Sequence, residues 1–211
     1  MDYNKYIFEY NKIGIGLHGV KIVDNFLDED TTGYLSKWLD GDIRTSGIYR
    51  SEIDDEKILK ILEEQEERIY KEVYDHYTVN YDVIFKERPI GRTHLLKWNL
   101  QDGDVMPVHT DCETPDGEPV LENEYYRYNL SAICYLNKDF VGAELIFPEI
   151  DLTIVPEPGK LVLFPSRYKH GVLNMESGKR YTMPTWFTFD IGEEIPKEEL
   201  RFTYDAYKLL F

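Results

Sequence analysis

Cysteine is scarce in this sequence: Cys112 and Cys134 are the only two among 211 residues. Two thiols cannot build a disulfide scaffold, so the composition points to a reducing, cytoplasmic setting. Long apolar runs are lacking too. No stretch approaches the roughly 20 residues that span a bilayer. Met1-Asp2-Tyr3-Asn4-Lys5 has neither the basic segment nor the apolar stretch of a secretory leader, so no membrane association is expected. Positive charge is in deficit, with 24 Lys and Arg against 40 Asp and Glu and a formal net charge of −16. Such a surface repels phosphate backbones and argues against a nucleic-acid partner. If it steers anything, it steers cations. Internal repeats and low-complexity tracts are absent, which excludes solenoids and propellers.

What is present is enough apolar material for a real core: 42% hydrophobic residues, including 17 tyrosines. The expectation is one domain over residues 1–211, helical over about 24–80 and β-rich over about 90–190. Asp28 or Asp30 can cap a first helix that carries Tyr34, Leu35, Trp38 and Leu39 on one face. A longer helix is expected after Ser51–Asp55, with Ile58, Leu62, Ile69, Val73 and Tyr77 near a 3.6-residue period. Its acidic run, Glu63-Glu64-Gln65-Glu66-Glu67, reads as a solvated face. A further helix is expected after Pro196.

Beyond Pro89 short β-rich runs recur, at Thr93–Leu100, Tyr128–Leu136, Ala143–Phe147, Leu152–Val155, Lys160–Phe164 and Tyr181–Phe189. Phe147-Pro148 and Phe164-Pro165 close two of them, because proline donates no ladder hydrogen bond. That many short strands in about 100 residues suggests a sandwich or barrel with helices packed outside. Gly14-Ile-Gly16-Leu-His-Gly19 has the glycine spacing of a dinucleotide loop, but such a loop must open a helix. Here Val20–Val23 follows and reads as a strand, so the match is rejected.

Of the five histidines, only His109 sits in a His-x-Asp arrangement, His109-Thr110-Asp111. On a strand edge, residues i and i+2 share a face, so the imidazole and the carboxylate can hold one metal ion. His170 follows 61 residues later, just past the Lys160–Phe164 run, where a folded-back sheet could supply a third ligand. Two histidines and one carboxylate leave three positions open on a metal, as non-haem Fe(II) oxygenases require. The competing reading is an acidic surface turn through Asp111, Glu113, Asp116 and Glu118. Calcium suits it poorly, since Asp111–Gly117 lacks the EF-hand ligand order and contains Pro115.

Around these residues the sequence resembles the Fe(II)/2-oxoglutarate-dependent dioxygenases, in their prolyl-4-hydroxylase-like branch. Ile22-Val23-Asp24-Asn25-Phe26-Leu27 resembles the segment before the family's first helix, and Pro107-Val-His109-Thr-Asp111 its first metal motif. Ile133-Cys-Tyr135-Leu136-Asn137 and Gly142-Ala-Glu144-Leu-Ile-Phe147-Pro148 resemble its next strands. Pro158-Gly159 through Phe164-Pro165-Ser166 resembles the strand before the distal histidine, and Arg180-Tyr-Thr182-Met-Pro-Thr-Trp186-Phe the closing strand. The likeness covers roughly residues 20–190. It implies an α+β, mainly β fold, a double-stranded β-helix (jelly roll) with N-terminal buttressing helices.

It also implies an enzyme, a hydroxylase using Fe(II), 2-oxoglutarate and O2, with succinate and CO2 as co-products and ascorbate as a reductant. His109, Asp111 and His170 are then the metal ligands and catalytic centre. Arg180, ten residues past His170, pairs with the distal carboxylate of 2-oxoglutarate, as its fork suits. Tyr135 shares that carboxylate, and Thr182 adds a hydroxyl on the same face. Gly142-Ala143 replaces the family's usual Gly-Gly. Tyr128 and Ser131 stand where relatives often carry an arginine and a threonine. Trp186 stands where nucleic-acid demethylases place a second arginine, which argues against that branch. Trp98, Met106, Arg167 and Trp186 are candidates for the mouth of the site. An aromatic, acid-rimmed opening suits a peptidyl proline, or a cationic amino acid or peptide. The long connection from Asp111 to Tyr128 reads as a lid. A jelly-roll metal-binding module without turnover is the alternative of another class, and oligomeric state is not legible.

Overall fold

The computed structural model describes residues 19–42, 46–81, 90–99, 106–112 and 130–188. The expected lid, the helix after Pro196, Tyr128 and residues 14–18 lie outside them. So does the side chain of Tyr77.

Helix α1 (Glu29–Gly41) starts where Asp28 accepts the Thr31 backbone N–H at 2.7 Å, with Glu29 and Asp30 in the first turn. Its far end is finished from the sheet: Lys97, only 6% exposed, donates from Nζ to the carbonyls of Leu39 and Asp42, both at 2.9 Å. A buried ammonium is tolerable there because the terminal carbonyls of a helix lack partners and carry negative charge. Helix α2 (Glu56–Tyr81) begins at Asp55, whose carboxylate accepts the backbone N–H groups of Lys57 and Ile58. Ile58, Leu62, Ile69 and Val73 are fully buried along one stripe. Each such side chain contributes about 1.5–3 kcal/mol.

The acidic run of α2 is not solvated throughout. Glu63, Glu64 and Glu67 are exposed, but Gln65 is buried and Glu66 points at the sheet. The helical period places 65 and 66 next to the stripe of Leu62 and Ile69. Glu66 there takes Arg50 at 3.2 Å and the Thr93 hydroxyl at 2.7 Å.

The strands are β1 (Lys21–Val23), β2 (Ser46–Ile48), β3 (Ile90–Thr93), β4 (Leu95–Asn99), β5 (Met106–His109), β6 (Leu130–Tyr135), β7 (Phe140–Gly142), β8 (Leu145–Phe147), β9 (Leu152–Ile154), β10 (Leu161–Pro165), β11 (His170–Val172) and β12 (Met175–Thr188). All pairings are antiparallel. The larger sheet runs β1-β10-β6-β12-β4-β2, with β3 and β7 also on β12, and the smaller runs β5-β11-β8-β9. The expected run Thr93–Leu100 corresponds to β4, with Thr93 at the end of β3, and β2, β3, β5, β7 and β11 lie almost wholly outside the expected β-rich runs.

Alternation along the central strands sorts residues to two faces. From β6, β10 and β12, Leu130, Ala132, Cys134, Leu161, Leu163, Tyr181, Met183 and Phe187 pack under α1 and α2. Their neighbours Tyr135, Val162 and Phe164 face the smaller sheet and meet Leu145, Phe147 and Ile154. The layers are therefore helices, large sheet, small sheet, a double-stranded β-helix with its helices on one side.

Candidate active site

The site lies between the sheets, and strand pairing assembles it. On the smaller sheet His170 of β11 pairs directly with His109 of β5. Gly171 makes that approach possible, since a Cβ there would stand 3.1 Å from Val108 Cα and from its N. Asp111, two residues past His109, is anchored by its backbone N–H to the Ser166 carbonyl at 2.8 Å. The ring centroids of His109 and His170 are 4.4 Å apart. Asp111 Oδ1 is 3.4 Å from His109 Nε2 and 3.6 Å from His170 Nε2. The three ligand atoms lie within 4.8 Å of one another, and they form the one such cluster of metal-ligating groups among the described residues.

The tautomers follow from the neighbours. His109 Nδ1 is 2.8 Å from the Pro107 carbonyl, and His170 Nδ1 is 2.9 Å from that of Tyr168. A carbonyl only accepts, so both Nδ1 atoms carry the proton, and in the neutral rings both Nε2 lone pairs face Asp111. This is the usual preparation of histidine for a metal. Phe164 and Phe147 pack against the His170 ring, at 4.6 and 6.0 Å between centroids. Burial would raise the Asp111 carboxyl, but when the imidazoles are protonated the His170 charge and hydrogen bonds from His109, Ser131 and Trp186 overcome it and hold the group at about 2. It is a carboxylate at any physiological pH, as a metal ligand must be.

The second half of the site is on the larger sheet. Arg180, Thr182 and Trp186 alternate on the inward face of β12, and Tyr135 of β6 stands opposite Thr182. Arg180 is 2% exposed, and its guanidinium lies over the Trp98 ring at 4.7 Å and the Tyr135 ring at 5.3 Å. Among the described residues no carboxylate comes within ion-pair distance of it. Tyr135 Oη and Arg180 Nε are buried without a hydrogen-bond partner at bonding geometry, though the guanidinium is near enough to favour a phenolate. Burial pulls the Arg180 pKa down and pushes the Tyr135 phenol up, each partly offset by the other.

The candidates for the mouth are placed unevenly. Trp98 is 5% exposed and pairs with Arg180 across the strands, so its ring serves the arginine end. Met106 is half-buried beside it, with Ala143 and Met175. Arg167 sits in the turn between β10 and β11, next to Ser166. Trp186 donates from Nε1 to Asp111 Oδ2 at 2.9 Å. Sequence reasoning passed over Ser131 as a site residue and His94 altogether. The Ser131 hydroxyl donates to Asp111 Oδ2 at 2.5 Å, and His94 stacks on Trp186 at 4.8 Å. The facing of Ser131 could have been read from its period-2 relation to Tyr135, but that of His94 had no signal.

This fold and this cluster define a jelly roll with an internal His-Asp-His site. Residues 93–188 match the family model of the 2OG-Fe(II) oxygenase superfamily. It is 30% identical over 137 residues to prolyl 3-hydroxylase 2 of Homo sapiens, across 59% of this chain and 19% of that protein. With prolyl 3-hydroxylase 1 of Homo sapiens it shares 36% over 98 residues, across 41% and 13%. The chain thus spans a fifth or less of the length of these curated relatives. Among solved structures, it superimposes on a viral collagen prolyl hydroxylase of Paramecium Bursaria Chlorella virus-1 in a 2OG complex, with TM-score 0.56, 17% identity and coverage of 80% and 94%. A Pseudomonas putida prolyl-4-hydroxylase gives TM-score 0.56 at 17% identity, covering 85% and 96%. These likenesses establish the jelly-roll fold. No helix among the described residues is long and apolar enough to cross a membrane.

Proposed function

We propose that this chain is an Fe(II)- and 2-oxoglutarate-dependent hydroxylase acting on peptidyl proline. The observation that carries the reading is a buried guanidinium with no carboxylate at ion-pair distance among the described residues, beside a buried phenol, on the inward face of β12 whose Trp186 reaches Asp111. An uncompensated buried cation costs several kcal/mol, and a fold retains one where an anion arrives.

His109, Asp111 and His170 would hold Fe(II), and Arg180 and Tyr135 the far carboxylate of 2-oxoglutarate, with Thr182 alongside. When bound, the iron and cosubstrate supply oxidative decarboxylation to succinate and CO2, coupled to insertion of one oxygen atom of O2 into a C–H bond. The chain's own contribution is positional. The Pro107 and Tyr168 carbonyls fix the two imidazoles, and burial of Asp111 among donors keeps it ionised. Phe147 and Phe164 line the wall behind His170, which limits water on that side. Arg180 would hold the far carboxylate and set the register of the cosubstrate, as its planar fork allows.

Peptidyl proline is supported by the prolyl hydroxylase relatives, and the acidic chain suits a peptide of cationic character. The position of hydroxylation is read by experiment. Protein with Fe(II), 2-oxoglutarate and ascorbate is incubated with proline-containing cationic peptides, and succinate and peptide mass are followed. The expected result is peptide-stimulated succinate and a gain of one oxygen on proline, with NMR of the hydrolysate distinguishing C3 from C4. Succinate stimulated by free amino acids but by no peptide would replace peptidyl proline with a small-molecule substrate.

A further inference from the structure

The two oxygens of Asp111 have different surroundings. Oδ1 faces both imidazole Nε2 atoms, at 3.4 and 3.6 Å. Oδ2 faces away and accepts two hydrogen bonds, from Ser131 Oγ at 2.5 Å and Trp186 Nε1 at 2.9 Å. Neither donor is free to wander. Ser131 Oγ is 2.8 Å from Ser166 Oγ, and the Ser166 backbone carbonyl holds the Asp111 N–H. Ser131 and Trp186 face each other across β6 and β12. The indole is stacked on His94, with ring centroids 4.8 Å apart and planes 29° apart. His94 is in turn packed against Tyr49 at 4.9 Å. Burial keeps His94 neutral, with its pKa pulled to about 4, so the ring stacked on the indole is an uncharged imidazole.

We propose that Trp186, held by the His94–Tyr49 stack and working with Ser131, is a positioning residue for the metal: it occupies Asp111 Oδ2 and leaves one carboxylate oxygen for coordination. The proposal rests on reading Asp111 as a ligand. Trp186 is thereby assigned to the metal's ligand rather than to the substrate. The physical reason is economy of coordination positions. A carboxylate free to rotate could chelate through both oxygens and take a position that the cosubstrate needs. Two convergent donors on Oδ2 oppose that rotation. They also satisfy the lone pairs of a buried anion when the metal takes Oδ1.

The test compares Trp186→Phe and Ser131→Ala with Asp111→Ala, using Co(II) as probe under anaerobic conditions. Kd and the visible d–d spectrum are measured, with the unfolding midpoint as a control. Trp186→Phe keeps a ring on His94 and loses the donor. The expected result is a loss of Co(II) affinity on the order of 10–100-fold, as removal of such supporting partners typically gives, with a changed d–d spectrum and little change in the midpoint. Wild-type affinity and spectrum in folded Trp186→Phe, alongside lost binding in Asp111→Ala, would overturn the proposal. Wild-type binding in Asp111→Ala would instead overturn the ligand assignment. Should Trp186→Phe fail to fold, the indole N–H resonances of the three tryptophans decide. One of them is expected to move in Asp111→Ala, where the acceptor is gone; none moving would overturn the proposal.

Discussion

The two ends of the site are built on opposite plans. At the His109–Asp111–His170 end the polar atoms that hold the cluster in place are occupied by protein: Nδ1 of each imidazole on a backbone carbonyl, Asp111 Oδ2 between Ser131 and Trp186. At the Arg180–Tyr135 end a guanidinium and a phenol are buried with aromatic faces around them and, among the described residues, no carboxylate at ion-pair distance. The first arrangement fixes donor atoms before a metal arrives, and the second leaves polar demand for a ligand to satisfy. Buried polar groups are almost always paired, so an unsatisfied pair beside a satisfied cluster marks where a ligand belongs.

That contrast can be broken at its satisfied end first. Asp111→Ala or His170→Ala removes a proposed ligand and should reduce Fe(II) affinity by 100-fold or more, about 3 kcal/mol, measured by anaerobic metal titration. Arg180→Met should sharpen the contrast, because its effects on binding and stability have opposite signs. Binding of 2-oxoglutarate should fall by on the order of 100-fold, while the ligand-free protein becomes more stable by about 1 kcal/mol as an uncompensated charge is removed. Calorimetric titration and a denaturant curve read the two effects. Tyr135→Phe removes one hydroxyl and should weaken 2-oxoglutarate roughly tenfold with little change in stability, since among the described residues the hydroxyl has no partner at good hydrogen-bond geometry.

A further expected effect is in pH. His94 is pulled by burial from 6.5 to about 4 in the folded protein. The unfolded chain therefore binds the proton first as pH falls. The stability that rests on neutral His94 is full above about 6.5, declines below it, and is gone near 4. His94→Phe, which keeps a ring between Tyr49 and Trp186, should flatten the plot of unfolding midpoint against pH within that window. An unchanged slope would place the titration elsewhere.

Much of this was legible before the fold. A cap at Asp28 or Asp30, a second helix after Ser51–Asp55 with its buried stripe, and the strands closed by Phe147-Pro148 and Phe164-Pro165 follow from local propensity and period. So does the common face of Arg180, Thr182 and Trp186, which period-2 geometry dictates. What was not legible depended on contacts distant in sequence. Glu66 seemed part of a solvated run because nothing local announces Arg50 and Thr93 beneath it. Trp98 and Trp186 were both assigned to the mouth from strand position. Strand pairing then set Trp98 against Arg180, and the facing of β12 put the Trp186 indole on Asp111. Strands of three or four residues, such as β2 and β11, carry too little pattern to be seen without their partners.

The central claim is that one ligand bridges the two ends of the site. An anaerobic titration of the protein with Fe(II) and then 2-oxoglutarate, following the visible charge-transfer band of the chelate, tests it most directly. The account predicts the band in wild type, no band in His109→Ala or His170→Ala, and in Arg180→Met a band only at much higher 2-oxoglutarate. Folded wild-type protein that binds Fe(II) and never develops the band would contradict it.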